Sequence, residues 1–180
     1  VLIDIPKDVQ FANGHYTKKE QIIIPSHRLF EPKIFKNDEK INQVVDLISK
    51  AKKPIFYIGG GCINSGPKAS ELVSQFVEMT GAPATMTLMG LGVLGSSHSN
   101  SLGMLGMHGM YEANMAMNEC DVMINIGARF DDRVTGRLDA FSPNSKKIHI
   151  DIDESNINKT IKVDVPVVGD VTSVLSKIIK

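Results

Sequence analysis

Short apolar runs separated by helical stretches constrain this chain more than any other feature. The β-prone runs fall at 55–58 (IFYI), 84–88 (ATMTL), 122–126 (VMINI), 148–152 (IHIDI) and 165–168 (VPVV). Between them lie amphipathic segments. Ile41, Val44, Val45, Ile48 and Ala51 fall on one helical face, with Asn37 or Asp38 as the cap and Lys52-Lys53-Pro54 as the stop. A second helix starts at Pro67, presents Leu72, Val73, Phe76 and Val77, and ends at Gly81. Residues 111–118 read as another, and a last helix after Asp170 presents Val174, Leu175, Ile178 and Ile179. Runs of four to six apolar residues alternating with helices predict βαβ crossovers and a parallel sheet covered on both faces. The expected fold class is doubly wound α/β.

Composition narrows the function classes. The 180 residues carry 20 basic and 20 acidic side chains, so no net field favours nucleic acid or an anionic membrane surface. No apolar run approaches the ~20 residues needed to span a bilayer, and the chain reads as a soluble, cytoplasmic protein. Cys62 and Cys120 have neither CxxC spacing nor histidines arranged for zinc, so no metal knuckle or disulfide framework is indicated.

The amino-terminal part differs. Residues 1–6 (VLIDIP) read as a buried strand with no neighbour to pair with, and residues 7–37 mix charges with Pro25 and Pro32 without a sustained period. The expectation is that residues 1–10 end a truncated upstream domain, 11–37 form a linker, and 38–180 form one compact domain.

Several segments could carry chemistry. Gly59, Gly60 and Gly61 follow a strand and precede a helix, where backbone N–H groups can approach a phosphate; the spacing fits neither GxGxxG nor a Walker A loop, and a tight turn explains it equally well. Residues 90–109 carry glycines at 90, 92, 95, 103, 106 and 109 among Met89, Met104, Met107 and His108. That composition suits a flat apolar ligand, or a mobile surface loop. Residues 127–136 (GARFDDRVTG) place Arg129 and Arg133 around Asp131 and Asp132 directly behind an apolar run. The crevice beyond a strand's carboxyl end is where open α/β sheets bind ligands, and an arginine fork there can hold a phosphate; the alternative is a solvated set of surface ion pairs. Asp151 and Asp153, beyond another strand, could accept from a ribose diol. Asp170 precedes the last helix and reads first as its cap. His15, His27, His98 and His149 have no partner at catalytic spacing, and no nucleophile–base or paired-acid site is defensible.

Taken together, 105–109 (LGMHG), 127–136, 87–92 (TLMGLG) and 148–153 (IHIDID) resemble the central domain of the acetolactate synthase (acetohydroxyacid synthase) family, large catalytic subunit. The resemblance implies a six-stranded parallel domain of a thiamine-diphosphate- and Mg²⁺-dependent transferase. That enzyme condenses two pyruvates, or pyruvate and 2-oxobutyrate, with loss of CO2 on the route to branched-chain amino acids. It also implies bound FAD in a structural role. By position, Gly59, Gly60 and Gly61 would take the FAD backbone and phosphate region, and Thr87, Leu88, Met107 and His108 would line the cofactor. Gly127, Ala128, Arg129, Asp131, Arg133 and Val134 would contact the pyrophosphate or ribityl region, and Asp151, Ile152, Asp170 and Val171 the adenosine side. Met107, Asp132 and Arg133 would also stand near a substrate channel that takes sulfonylurea-type inhibitors. Residues 12–15 read ANGH where family members often place an FAD-contacting arginine, and Asp151 stands where some have glutamate. The resemblance places the activating glutamate, the thiamine-diphosphate site and the metal site outside these residues, so no catalytic residue and no metal ligand is expected here and the fragment alone should be inactive. It further implies a homodimer or tetramer of full-length subunits, with a small regulatory subunit as a possible partner. Other readings are a glyoxylate carboligase or pyruvate oxidase domain, or a noncatalytic nucleotide-binding or assembly module.

Overall fold

A computed structural model of the chain describes residues 3–15 and 35–180, which belong to two compact units, 1–30 and 31–180. In the first unit, α1 (Lys7–Phe11) is a short helix with no buried residue, and Lys7 Nζ lies 5.9 Å from the Phe11 ring centre. Residues 3–6 form no strand, contrary to the reading of the opening segment. An isolated strand has nothing to satisfy its N–H and C=O groups. Val1, Leu2 and the stretch 16–34 that the expected linker spans, with Pro25, His27 and Pro32, lie outside the described residues.

The second unit holds a sheet of β1 (Pro54–Ile58), β2 (Ala84–Met86), β3 (Ser101–Met104), β4 (Val122–Ile126), β5 (Lys146–Asp151) and β6 (Val165–Val168). The spatial order is β3-β2-β1-β4-β5-β6, with every neighbouring pair parallel. This doubly wound order reverses its winding between β1 and β4, so a crevice is expected beyond their carboxyl ends. The residue pattern gave five of these strands. β3 was hidden in the glycine-rich stretch because it is a half-buried edge strand of four residues with Gly103 inside it, which carries no apolar period.

One face of the sheet is covered by α2 (Asp38–Lys50), α4 (Pro67–Thr80) and α7 (Val171–Ile178). Local chemistry fixes their ends. Asn37 Oδ1 accepts from Lys40 N–H at 3.1 Å, Pro67 starts α4, Gly81 closes it at φ 65°, and Asp170 Oδ1 accepts from Ser173 N–H at 3.1 Å. Ile41, Val44, Leu72, Val73, Phe76, Val77, Val174 and Leu175 are buried as the period predicts. Val45 is instead 44% exposed, because one residue turns about 100° around the helix from Val44 and off the stripe. Ile178 and Ile179 are only partly buried at the fraying carboxyl end of α7. Phe56 from β1 meets Phe76 edge-on, ring centres 5.0 Å apart.

The opposite face carries one short helix, α5 (Tyr111–Glu119), and long irregular segments. Its core joins Ile55 and Tyr57 of β1, Met123 of β4, Met117 of α5, and Phe130. Two single-turn helices, α3 (Gly61–Asn64) and α6 (Asp132–Thr135), sit at the carboxyl ends of β1 and β4.

Candidate functional site

All six strands run the same way, so the residues following each one gather on a single edge. The expected site residues follow β1 (59–61), β2 (87–88), β3 (107–108), β4 (127–134) and β6 (170–171), and stand at and just past the end of β5 (151–152). Five inter-strand steps of about 4.8 Å make this edge roughly 24 Å long.

At its centre the turns after β1 and β4 interlock. Gly59 N–H donates to Ile126 O at 2.8 Å, Gly61 N–H to Gly127 O at 3.0 Å, and Gly127 N–H to Ile150 O at 2.8 Å. A Cβ on Gly59 would collide with Gly127 O, and one on Gly61 would lie 2.8 Å from Gly127 Cα. These glycines are required for backbone-to-backbone approach, whatever else the turn does. Gly60, partly exposed, faces Met89 across the turn. Thr87 caps a short 3-10 turn by accepting from Gly90 N–H, leaving Leu88 exposed on the rim.

The segment after β3 is pinned. Asn114 on α5 bonds both Gly106 N–H, at 2.8 Å, and Gly106 O, at 2.9 Å, and Met107 N–H donates to Arg133 O at 2.8 Å. Met107 and His108 are thereby held exposed beside α6. A cleft of about 350 Å³ opens there. It brings Met107, Asp132 and Arg133 together with the apolar Met117, Val134 and Phe141.

Behind β4, side chains alternate sharply between inside and outside. Ala128 and Phe130 are buried, whereas Arg129, Asp131, Asp132 and Arg133 face solvent. Arg129 Nη2 is 3.8 Å from Asp131 Oδ2, with the arginine side chain 71% exposed, so the pair leaves the guanidinium free to bind. Asp131 caps α6 by accepting from Arg133 N–H at 3.2 Å. That hydrogen bond first, then one with the Asp132 side chain and the nearby guanidinium of Arg129, holds its carboxyl below the ordinary range. Arg133 Nη1 stands 3.9 Å from Asp132 Oδ2.

On the far side, Asp151 is buried and its Oδ1 accepts from Asp153 N–H at 2.8 Å, which leaves Ile152 on the rim. Asp170 caps α7, and Val171 points its side chain into the core. The hydroxyl of neighbouring Thr172 is buried with no partner. Three residues that sequence reasoning passed over support the edge: Asn125, Phe130 and His149, all buried. The signal existed, as an amide inside an apolar strand and one aromatic inside a charged turn.

A match to the family described as thiamine pyrophosphate enzyme, central domain, runs over residues 41–178. The chain belongs to that family. Its six-stranded, all-parallel α/β sheet is consistent with a thiamine pyrophosphate enzyme central domain. The chain is 45% identical over its whole length to the acetolactate synthase large subunit of Corynebacterium glutamicum, of which it spans 28%. It is 44% identical to the chloroplastic acetolactate synthase of Arabidopsis thaliana over 95% of this chain and 25% of that one. Against the acetolactate synthase isozyme 3 large subunit of Escherichia coli K12 the identity is 39%, over all of this chain and 31% of that one. The chain thus spans about a third or less of each of these relatives. Among the described residues no helix is long and apolar enough to cross a membrane, and no group of three His, Cys, Asp or Glu side chains could hold a metal ion.

Proposed function

We propose that the carboxyl edge of this sheet binds FAD and that the chain is the central domain of an acetolactate synthase large subunit. The observation that carries the reading is the exposed guanidinium of Arg129 above the β1/β4 switch point, on an edge to which every strand contributes. A cation there suits a pyrophosphate. The exposed Leu88 and Met107, beyond β2 and β3, suit a flat flavin ring. Ile152 and Asp170 at the β5–β6 end offer apolar and polar contacts to an adenosine. A length of roughly 24 Å accommodates an extended dinucleotide. Bound there, FAD supplies a rigid structural element rather than redox equivalents.

In the longer enzyme, thiamine diphosphate and Mg²⁺ sit outside these residues. The whole enzyme condenses two pyruvates, or pyruvate and 2-oxobutyrate, with loss of CO2 for branched-chain amino-acid biosynthesis. It works in the cytoplasm as a dimer or tetramer of full-length subunits, to which a small regulatory subunit can attach. Met107, Asp132 and Arg133, gathered at the cleft, belong to the side facing the substrate channel.

A second reading rests on one observation, that Gly59, Gly61 and Gly127 are already explained by mutual packing. It makes the domain an assembly module without flavin affinity. Titrating FAD with the chain and following flavin fluorescence separates the two. Saturable quenching at tens of micromolar or below, weakened about tenfold or more in Arg129→Ala, supports the flavin site. A flat titration of the wild-type chain favours the packing module. Pyruvate incubated with the chain, thiamine diphosphate and Mg²⁺ should give no acetolactate; turnover would mean that the thiamine site lies within these residues.

A further inference from the structure

Asn125 is the one polar side chain in the run that forms β4, and it is fully buried. Its amide closes a ring on the backbone of a single residue: Nδ2 donates to Ala128 O at 2.9 Å, and Oδ1 accepts from Ala128 N–H at 3.0 Å. From the neighbouring strand, His149, equally buried, sets Nε2 2.8 Å from the same Ala128 oxygen. That oxygen is an acceptor, so Nε2 carries the hydrogen. The same nitrogen stands 3.6 Å from Asp151 Oδ2.

Two residues further on, Phe130 holds φ 54°, a left-handed conformation that costs a non-glycine residue on the order of 1–2 kcal/mol. Such a conformation persists only where the surroundings over-determine it. Here the Phe130 ring packs edge-on against Tyr57 at 5.5 Å and His149 at 5.1 Å. Arg129 therefore lies between two immobilised neighbours, one locked by hydrogen bonds and one by ring packing. At these positions an amide and an imidazole bond the backbone of Ala128, which apolar side chains would leave without partners. Buried polar groups are costly unless bonded and, once bonded, specify one arrangement.

We propose that Asn125 and His149 are positioning residues that fix Ala128 and Phe130 and so aim Arg129 at the switch-point crevice. His149 also ties that arm of the edge to the Asp151 arm. The ligand half of this inference rests on the FAD reading; the lock itself does not.

Two measurements on the chain test it. Amide hydrogen exchange compares Ala128, inside the lock, with Ile124, in the same strand outside it. Flavin titration reads affinity under conditions where circular dichroism reports a folded chain. The variants are His149→Gln, which keeps a side-chain N–H within reach of Ala128 O, His149→Leu, which has none, and His149→Asn, whose amide is too short.

We expect His149→Leu to speed exchange at Ala128 about tenfold, the scale of one hydrogen bond, with Ile124 unchanged, and to weaken FAD binding by a similar factor. His149→Gln should return both to within a few-fold of wild type, and His149→Asn should behave like His149→Leu, serving in its place if the leucine variant does not fold. Equal acceleration at Ala128 and Ile124 would mean that His149 only stabilises the core, and no change at either would remove the lock; both results overturn the proposal. Faster exchange at Ala128 with unaltered flavin affinity would overturn the aiming role alone. A wild-type chain that binds no flavin overturns the parent reading and with it the ligand half, while the exchange data still decide the lock.

Discussion

The two faces of the sheet are built on different principles. The face under α2, α4 and α7 is apolar throughout, from Val44 and Phe56 to Leu175. The opposite face holds the buried polar side chains. Thr85, Asn125, Lys147, His149 and Asp151 alternate along β2, β4 and β5 with residues of the first core, so they point the other way. Thr135 of α6 joins them, with Ser142 and Ser145 from the irregular segment that covers that face. Where helices cover a sheet, their backbones are already satisfied and apolar side chains suffice. Where loops cover it, buried carbonyls and amides need side-chain partners, and those partners also dictate what the loops present to a ligand.

The largest effect should come from the first face. Phe76→Ala removes a buried ring packed on Phe56 and should cost about 3–5 kcal/mol in urea or guanidinium unfolding. The loss should be global, with every probe of structure shifting together. A loss under about 1 kcal/mol would mean that the helices are only loosely docked and that the contrast between the faces is false.

A smaller, more local effect is expected on the second face. Lys147 Nζ donates to Ser142 O at 2.8 Å and Ser145 O at 3.0 Å, inside a cluster that includes Cys120 Sγ 3.3 Å from Ser142 Oγ. Burial pulls this ammonium below the ordinary lysine range. Lys147→Met keeps the stem but removes the donor to Ser145 O and one of the donors to Ser142 O, which still accepts from the Ser145 N–H and hydroxyl, at a cost of about 1–3 kcal/mol. Hydrogen exchange should rise around residues 142–147 first. A stability gain would place the second face among buried charges that apolar substitution improves.

The same division explains what could be read in the sequence. The helices of the first face were legible because the 3.6-residue period and the caps at Asn37, Pro67, Gly81 and Asp170 are local signals. Five strands were legible as apolar runs; β3, with Ser101 and Gly103, was not. That the expected site residues share one edge was also legible, since the glycines at 59–61 and the charged, glycine-bounded turn at 127–136 each follow a parallel strand. Which side chains face outward was not. Ala128 and Val171 were expected at a ligand by position, yet their side chains are inside, so any contact from them must come from backbone atoms. The lock on Ala128 was out of reach for a physical reason: Asn125 and His149 are 24 positions apart and meet only because β4 and β5 pair.

Asp131 gives a third, weaker test, now at the edge itself. As cap of the short α6 it should contribute about 0.5–1 kcal/mol, which Asp131→Ala removes at neutral pH. Its carboxyl is held below the ordinary range in the folded chain, so the contribution is complete above that range and is lost as the pH falls through the folded-state value. Wild type and Asp131→Ala should therefore differ at pH 7 and converge in acid. Curves that stay parallel down to pH 2 would show that the carboxylate is not what holds α6.

The smallest stability effect belongs to the residue with the largest assigned role. The Arg129 side chain is 71% exposed, and its ion pair with Asp131 is long, at 3.8 Å. Exposed pairs of this kind contribute about 0–1 kcal/mol, so Arg129→Ala should leave the urea midpoint nearly unmoved. Asn125 and His149 of the second face bond the turn beside this side chain, while the side chain itself adds almost nothing to folding. Flavin affinity and stability should then separate cleanly: Arg129→Ala loses the first and keeps the second, whereas Phe76→Ala loses stability and, wherever it remains folded, keeps its affinity. Measuring both quantities on both variants is decisive. If Arg129→Ala unfolds the chain as readily as the core variant does, the guanidinium is a structural strut and the two faces do not divide folding from binding.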